Sequence, residues 1–334
     1  MAELHDFTRR MFCAGLAALA LGSILGSQAV FAQGAPQSVS LGIIGNLAEY
    51  YPIFVADKKG FFAQNQLKVD VVTTGGSARS AQMTATDAVN IGSSSWLDAV
   101  RAIDGGAPVK IVANSMQTAT TMLIGAKNIK SIADLKGKRV SMGGAKDITM
   151  VWWIAMAQKS GLNPAKDAEV VFAGGTPARF AALAAGGVEA AAVATPLAFK
   201  AIQDGYNNLG LMGGFLPNVP YMSWHANARW ASANRDTVVR FVRANNQAIA
   251  FIFDRGSRSE AAQILASVSG VSLDDALKTH DVVVEIKGFA ADSGGTPEGV
   301  QGVVKVLTEF GDLKAPKPVV FYYDDSYVRA ARGN

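Results

Sequence analysis

Short apolar runs alternate with amphipathic segments along the first two thirds of the chain, which is the pattern of an α/β fold with a largely parallel sheet. The first series predicts strands at Val39–Gly45, Lys68–Thr74, Val89–Gly92, Val109–Asn114 and Met122–Ala126. Ser77 is placed to cap a helix that ends near Thr86. The serines at 93–95 are placed to cap a second helix, over 96–104.

A second series with the same alternation begins near Ser131. It predicts strands at Lys138–Met142, Glu169–Ala173, Val188–Ala194 and Leu209–Met212. The pairs Thr176-Pro177 and Thr195-Pro196 predict helix starts, with threonine as the N-cap and proline as the first helical residue. The glycine- and proline-rich stretch 213–220 resembles a linker.

The last third of the chain changes to apolar residues at three- and four-residue spacing, which is typical of helices. The predicted helices are Asn234–Phe253, Ser259–Val268, Ser272–His280 and Thr296–Phe310. We therefore expect two α/β lobes, with residues 33–125 and 221–334 in lobe 1 and residues 126–220 in lobe 2. A cleft between such lobes is the usual ligand site, because strand ends and helix N-termini meet there.

Residues 1–32 have the features of an export signal. Arg9 and Arg10 precede an uncharged run, and small residues follow it up to Ala32. The run is about 15 residues long, short of the ~20 that a membrane anchor requires. We expect cleavage near Ala32 and a periplasmic protein. The Arg9-Arg10 pair resembles a twin-arginine signal, and the general export route is the alternative.

Composition narrows the class of protein. The 334 residues are 49% hydrophobic and 17% charged, which excludes a disordered chain. The net charge of +4 is too small to indicate nucleic-acid binding by itself. The single cysteine, Cys13, falls within the expected signal, so an internal disulfide and cysteine-cluster metal sites are excluded.

The motifs of common enzymes are absent from the sequence. It contains no Gly-x-Ser-x-Gly elbow, P-loop, His-Glu-x-x-His or Gly-x-Gly-x-x-Gly. His280 lies on a predicted helix and is interpreted as structural, whereas His225 could line the cleft. We expect no catalytic residues, metal or cofactor.

Several loops after strands are suited to holding a small ligand, since helix N-termini leave backbone N–H groups free. Ordinary capping is the alternative for any single loop. Arg79 follows one such loop and gains nothing from the helix dipole, so a ligand anion or an acidic partner is expected beside it, with a solvated surface arginine as the alternative. Tyr50 or Tyr51 could contact the ligand, with the other in the core. Trp96 and Trp224 are either cleft walls or core.

Four segments resemble, in order and spacing, the nitrate/sulfonate/taurine-type substrate-binding proteins of ABC transporters, whose relatives bind thiamine precursors. They are Pro52–Phe62, Gly75-Gly76-Ser77, Ser131–Val140 and Ala182–Ala192, and the resemblance covers roughly residues 38–325. In the last segment Glu189 stands where aspartate is more usual. The resemblance implies a type II periplasmic binding protein, with hinge strands near 124–126 and 220–223.

The resemblance also implies ligand contacts from the loops after the strands. The matching positions are Asn46, Tyr50, Tyr51, Ser77, Arg79, Ser94, Gln117, Asp147, Thr149, Thr195 and Trp224.

The expected function is a monomeric extracytoplasmic receptor that binds a small organic anion, a sulfonate or carboxylate, by lobe closure. Its partner would be an ABC permease in the inner membrane. The alternatives are a receptor for a thiamine-precursor pyrimidine or similar heterocycle, and a solute sensor. An enzyme that makes the pyrimidine is disfavoured. Relatives that do so use a histidine near the first strand and a cysteine-rich motif, and this chain has no cysteine and no histidine between residue 33 and His225.

Overall fold

Two mixed five-stranded sheets organise the computed structural model, which describes residues 35–216 and 219–333. The expected signal, with Cys13 and its cleavage point, lies outside the described residues. The strands are β1 (Gln37–Ile43), β2 (Leu67–Thr73), β3 (Ile91–Ser95), β4 (Val109–Met116), β5 (Met122–Gly125), β6 (Lys138–Met142), β7 (Ala168–Phe172), β8 (Ala190–Val193), β9 (Asn207–Leu211) and β10 (Met222–Asn227).

The two sheets share one topology. The first has the strand order β2-β1-β3-β10-β4, and the second has the order β7-β6-β8-β5-β9. In each sheet the first three strands pair in parallel, and the fourth is antiparallel to both of its neighbours. The predicted α/β fold with two lobes is therefore confirmed, and each lobe is built on one sheet.

Helices cover the faces of both sheets in the described residues. They are α1 (Tyr51–Lys58), α2 (Phe61–Gln64), α3 (Ser77–Ala85), α4 (Trp96–Asp104), α5 (Ile148–Lys159), α6 (Thr176–Ala184), α7 (Leu197–Gln203), α8 (Ala228–Ala233), α9 (Arg235–Phe253), α10 (Arg258–Ser269), α11 (Leu273–Glu285), α12 (Pro297–Glu309), α13 (Val319–Tyr322) and α14 (Ser326–Ala331). Helix α9 packs on α1, α2 and α14, and α12 packs on α4, so the C-terminal helices complete the first lobe.

Three of the predicted helix caps are wrong. Helix α3 has Gly76 as its N-cap, and Ser77 is already its first helical residue. Helix α6 has Gly175 as its N-cap, and Thr176 is already helical, with its Oγ1 accepting a hydrogen bond from Arg179. The Thr195-Pro196 peptide is cis, and α7 begins only at Leu197. The Thr195 hydroxyl instead donates to Thr120 Oγ1 at 2.8 Å.

The serine run after the third strand also differs from the prediction. Strand β3 extends to Ser95, so Ser93 and Ser94 are buried strand residues. Only Ser95 caps α4, through a hydrogen bond from Asp98 N to its Oγ at 3.1 Å.

The chain passes between the sheets twice. It leaves the first sheet after Met116 and enters the second at Met122, then returns between Leu211 and Met222. The first crossing thus precedes the boundary expected at residue 126, because Met122–Gly125 already pairs with β8 and β9.

The core occupies both lobes and the space between them. One cluster lies in the first lobe around Tyr50, Trp224 and Phe241. A second cluster joins Trp96 of the first lobe to Trp152 and Trp153 of the second. None of the described helices is both long and apolar enough to cross a membrane.

We predict that Gly213→Ala lowers the free energy of unfolding by about 1–3 kcal/mol. A Cβ there would lie 2.8 Å from the carbonyl oxygen of Ala119, which lies on the other crossing segment. Because this neighbour is a backbone atom, it cannot move away without an energetic cost. Urea unfolding measures the loss. Gly214→Ala is the matched control, because its Cβ would meet nothing within 4 Å. Equal effects of the two substitutions would contradict this account of the crossing.

Candidate functional site

A cavity of about 410 Å³ lies between the two lobes, within the range of sites for small molecules. The loop after β1 and the starts of α3 and α4 line it from the first lobe. The starts of α5 and α6 line it from the second lobe. Its lining comprises Ile44, Leu47, Glu49, Tyr50, Gly75, Gly76, Ser77, Ala78, Arg79, Ser95, Asp98, Gly143, Gly144, Lys146, Asp147, Ile148, Thr149, Gly174, Gly175, Thr176, Arg179, Tyr221 and Met222.

The four helices differ in whether their N-termini are capped by a side chain. Ser95 caps α4, and Asp147 caps α5 by accepting a hydrogen bond from Thr149 N at 2.8 Å. Helices α3 and α6 have Gly76 and Gly175 as N-caps, with no side-chain hydrogen bond. One uncapped N-terminus from each lobe therefore points its free N–H groups and partial positive charge toward the cavity.

Arg179 is a buried cation in the first turn of α6, 6% exposed. Its Nε donates to Ala192 O at 2.6 Å, its Nη1 donates to Gly174 O, and its Nη2 donates to Thr176 Oγ1 at 3.0 Å. Burial lowers the pKa of Arg179, and Asp147, Tyr221 and Glu49 oppose that shift. These bonds hold the guanidinium in one orientation beside the cavity.

Glu49 is a buried carboxyl in the short 3-10 turn after β1, 3% exposed. Tyr221 donates its hydroxyl to Glu49 Oε1 at 3.0 Å, whereas Oε2 has no hydrogen-bond partner among the described residues. Burial raises the pKa of Glu49, and its own backbone N–H, Tyr221 and Arg179 only partly offset the rise.

One ion pair also connects the two lobes beside the cavity. Lys146 of the second lobe contacts Asp312, which follows α12 in the first lobe. Arg101 holds the same carboxylate at 2.8 Å and bonds Asp98 at 2.8 Å. Burial opposes ionisation of Asp312, but the hydrogen bonds from Lys146 and Arg101 keep its pKa below the usual range. Three of the cavity's ionisable groups, Lys146, Asp98 and Asp147, therefore already have partners within the chain.

Five of the expected ligand-binding residues line the cavity, namely Tyr50, Ser77, Arg79, Asp147 and Thr149. Tyr50 is fully buried and packs against Trp224, and its hydroxyl has no partner among the described residues. Ser77 Oγ accepts from Ser95 N at 3.1 Å, which ties the start of α3 to the start of α4. Arg79 is exposed and makes no hydrogen bond or ion pair with another described residue.

The other six expected residues are not among those that line the cavity. Three of them form hydrogen bonds with residues outside the cavity lining. Asn46 donates to Val268 O at 3.1 Å, Tyr51 bonds His280 at 3.1 Å, and Gln117 accepts from Asn114 at 2.9 Å. Asn46 and Tyr51 are held by partners far along the chain, and Gln117 is held by nearby Asn114 just after β4.

The remaining three are buried in the structure. Ser94 faces the interior of the first sheet, and Thr195 bonds Thr120 in the crossing region. Trp224 is 1% exposed and packs edge-on against Phe241, at 5.3 Å between ring centroids. Trp96 is likewise core, with Nε1 donating to Asn114 and to Met222 O. His225 is buried on β10 and does not line the cavity either.

The sequence interpretation did not list Glu49, Asp98, Lys146, Arg179 or Tyr221, which all line the cavity. One signal could have identified Arg179. Gly75-Gly76-Ser77 is followed by Arg79, and Gly174-Gly175-Thr176 is followed by Arg179 at nearly the same spacing. The recurrence places an arginine in the first turn of a helix in each lobe.

A family model described as NMT1/THI5 like matches residues 48–258 of the chain. Among curated proteins, one from Haemophilus influenzae, whose name provisionally assigns it to thiamine biosynthesis, is 30% identical over 118 residues. That match covers 33% of this chain and 38% of the relative, less than half of either protein.

Solved structures establish the fold. The alkanesulfonate-binding protein SsuA from Xanthomonas axonopodis pv. citri, bound to MOPS, has a TM-score of 0.68 at 18% identity, covering 84% of this chain and 95% of that one. The periplasmic nitrate-binding protein NrtA from Synechocystis PCC 6803 has a TM-score of 0.71 at 17% identity, covering 89% and 88%. The expected type II periplasmic-binding fold is confirmed.

We predict that Glu49→Gln raises the free energy of unfolding of the ligand-free protein by about 1 kcal/mol at pH 7.5, because it removes a buried charge. Since the folded pKa of Glu49 is raised, its stability contribution is present at low pH and is lost as pH rises. The gain should therefore vanish below about pH 4, where the wild-type carboxyl is protonated in both states.

Urea titrations of wild type and variant across this pH range measure the difference. Glu169→Gln, at an exposed position of edge strand β7, is the control and should show little change at any pH. A Glu49→Gln effect that does not depend on pH would contradict the burial argument.

Proposed function

The chain belongs to the NMT1/THI5-like family, and we propose that it is an extracytoplasmic solute-binding receptor of an ABC importer. It binds a small organic anion, a sulfonate or carboxylate, in the cleft, and lobe closure presents the loaded form to a membrane permease. The signal of residues 1–32 would direct its export to the periplasm. There it acts as a monomer.

One observation carries the proposal. Two uncapped helix N-termini from opposite lobes, those of α3 and α6, converge on one cavity, and each brings an arginine, Arg79 and Arg179. An anionic group between them would accept hydrogen bonds from backbone N–H groups and would be attracted by a guanidinium cation from each lobe. Such a ligand bonds best to the closed form, which couples binding to closure.

The rest of the cavity suits an organic body on that anion. Tyr50 and Tyr221 offer aromatic surface, and Ile44, Leu47 and Ile148 offer aliphatic surface. A volume of about 410 Å³ exceeds the size of a bare inorganic ion. A molecule with a charged group and an apolar portion fits both sets of contacts.

Binding without catalysis agrees with the chemistry of the lining. The lining residues of the described chain include no histidine or cysteine, and the carboxylates bonded to the hydroxyls of Ser95 and Thr149 hold them at helix N-termini. Within the described residues there is also no group of three or more metal-ligating side chains.

A receptor for a thiamine-precursor pyrimidine or a similar heterocycle is the second candidate. The local similarity to the Haemophilus influenzae protein supports it. A sensor that presents its closed form to a signalling partner would use the same cleft.

We predict that alkyl or aryl sulfonates or carboxylates raise the melting temperature of the purified protein. A ligand at 100 times its Kd adds about 2.7 kcal/mol to the free energy of unfolding, which is several degrees. The comparison set is nitrate, neutral sugars and pyrimidines at equal concentration. Stabilisation only by neutral or cationic compounds would overturn the anion assignment.

We also predict that Arg79→Ala weakens the best anion by about tenfold or more, the contribution of a hydrogen bond to a charged group. Isothermal titration calorimetry measures the affinity. Arg229→Ala, at an exposed position outside the cavity lining, is the control and should bind like wild type. Unchanged affinity in Arg79→Ala would remove Arg79 from the site.

A further inference from the structure

A single ion pair joins the two lobes within the described chain, and it lies between Lys146 and Asp312. Lys146 belongs to the loop before α5 in the second lobe, and Asp312 follows α12 in the first lobe. Every other ion pair of the described residues joins two residues of the same lobe. Opening of the cleft would therefore part Lys146 from Asp312 and leave the other ion pairs intact.

The carboxylate of this pair is held in place by its own lobe. The Asp312 side chain is 4% exposed, and its Oδ2 accepts a hydrogen bond from Arg101 Nε at 2.8 Å. Arg101 Nη1 donates to Asp98 Oδ1 at 2.8 Å, and Asp98 Oδ2 accepts from the hydroxyl of Ser95, the N-cap of α4, at 2.8 Å. Most surface ion pairs contribute little because two long side chains must be ordered. Here only the lysine must be ordered, since its acceptor is already fixed.

Closure of the lobes also brings two like charges toward each other. Asp98 of the first lobe and Asp147 of the second both line the cavity. Burial raises the pKa of Asp98, and the negative charge of Asp147 raises it further. Lys146 precedes Asp147 in the chain, so a positive charge approaches the first lobe together with that carboxylate. The closed form therefore gains from a cation at position 146.

A direct contact with the ligand is the other role open to Lys146, because its side chain lines the cavity. Its ammonium, however, is already paired with Asp312. Arg79 makes no ion pair with another described residue, and the N-termini of α3 and α6 have no side-chain cap. The anionic group of a ligand thus has donors available to it that do not require the Lys146–Asp312 pair to break.

We propose that the Lys146–Asp312 pair is a latch between the lobes, and that Lys146 is a positioning residue that raises ligand affinity by stabilising the closed form without touching the ligand. The inference rests on the proposed receptor function and adds an interaction that stabilises closure. A contact made only in the closed form adds its free energy to ligand binding, because binding and closure are coupled. Salt screens this contribution, since Lys146 is 72% exposed.

Calorimetry on Lys146→Met measures the latch. The probes are ethanesulfonate, benzenesulfonate, hexanoate and benzoate, and the variants are compared on the one that binds wild type most tightly. In about 20 mM NaCl, Lys146→Met should bind it about threefold to fivefold more weakly, the upper range for an exposed ion pair. In about 500 mM NaCl the difference should fall below about twofold.

Lys136→Met is the matched control. Lys136 is 73% exposed in the second lobe and pairs with Asp167 of the same lobe at 3.7 Å. Its substitution removes the same charge from an equally exposed site without affecting a contact between the lobes. Lys136→Met should therefore bind the probe like wild type.

A double-mutant cycle distinguishes a latch from a direct ligand contact. Asp312→Asn removes the negative charge and keeps an oxygen acceptor for Arg101, and Asp312 does not line the cavity. In the Asp312→Asn background, Lys146→Met should change the affinity by less than about 1.5-fold, because the pair is already broken. Thermal unfolding checks that every variant is folded.

The outcomes separate the latch from the receptor function. Wild-type affinity in Lys146→Met, or a loss that salt does not reduce, would overturn the latch and leave the receptor for organic anions in place. A loss that persists in full in the Asp312→Asn background would also overturn it, because Lys146 would then contact the ligand directly. Failure of all four probes to bind folded wild-type protein would overturn both the proposed function and this inference.

Discussion

The direction of the parallel strands is the constraint on which the site depends. In each sheet the strands that lead into α3, α4, α5 and α6 end at the cleft, so four helix N-termini meet there. Their dipoles make the cleft electropositive before any side chain is counted. Asp147 and the Ser95–Asp98 pair satisfy two of the N-termini, and the glycine caps leave the other two available to a ligand.

The charged side chains that line the cavity do not add to this positive potential of the helix dipoles. Cations and carboxyls are equal in number among the lining residues, and most of them are paired within the chain. Specificity therefore depends on the groups that keep donors available to a ligand, among them Arg79 and the uncapped N-termini of α3 and α6.

Local signals predicted the fold well and part of the site. Apolar runs between glycines and serines located the strands within a few residues, and loops after strands located Ser77, Arg79 and Asp147, whereas Thr149 came from the family resemblance. The three loop positions follow from chain direction alone. Trp224 and Tyr51 could not be placed that way, because their partners Tyr50 and His280 lie far along the chain from them. Glu49 was missed because its partner Tyr221 lies 172 residues farther along the chain, and Arg179 because its orientation depends on a bond to Ala192 of β8.

A crystal structure of the protein grown with a stabilising organic anion tests the central claim most directly. The account predicts ligand density in the cavity between the lobes, with the anionic group at the N-termini of α3 and α6 and within hydrogen-bond distance of Arg79 or Arg179. Density for the ligand outside this cavity, or an anionic group turned toward Glu49, would contradict it.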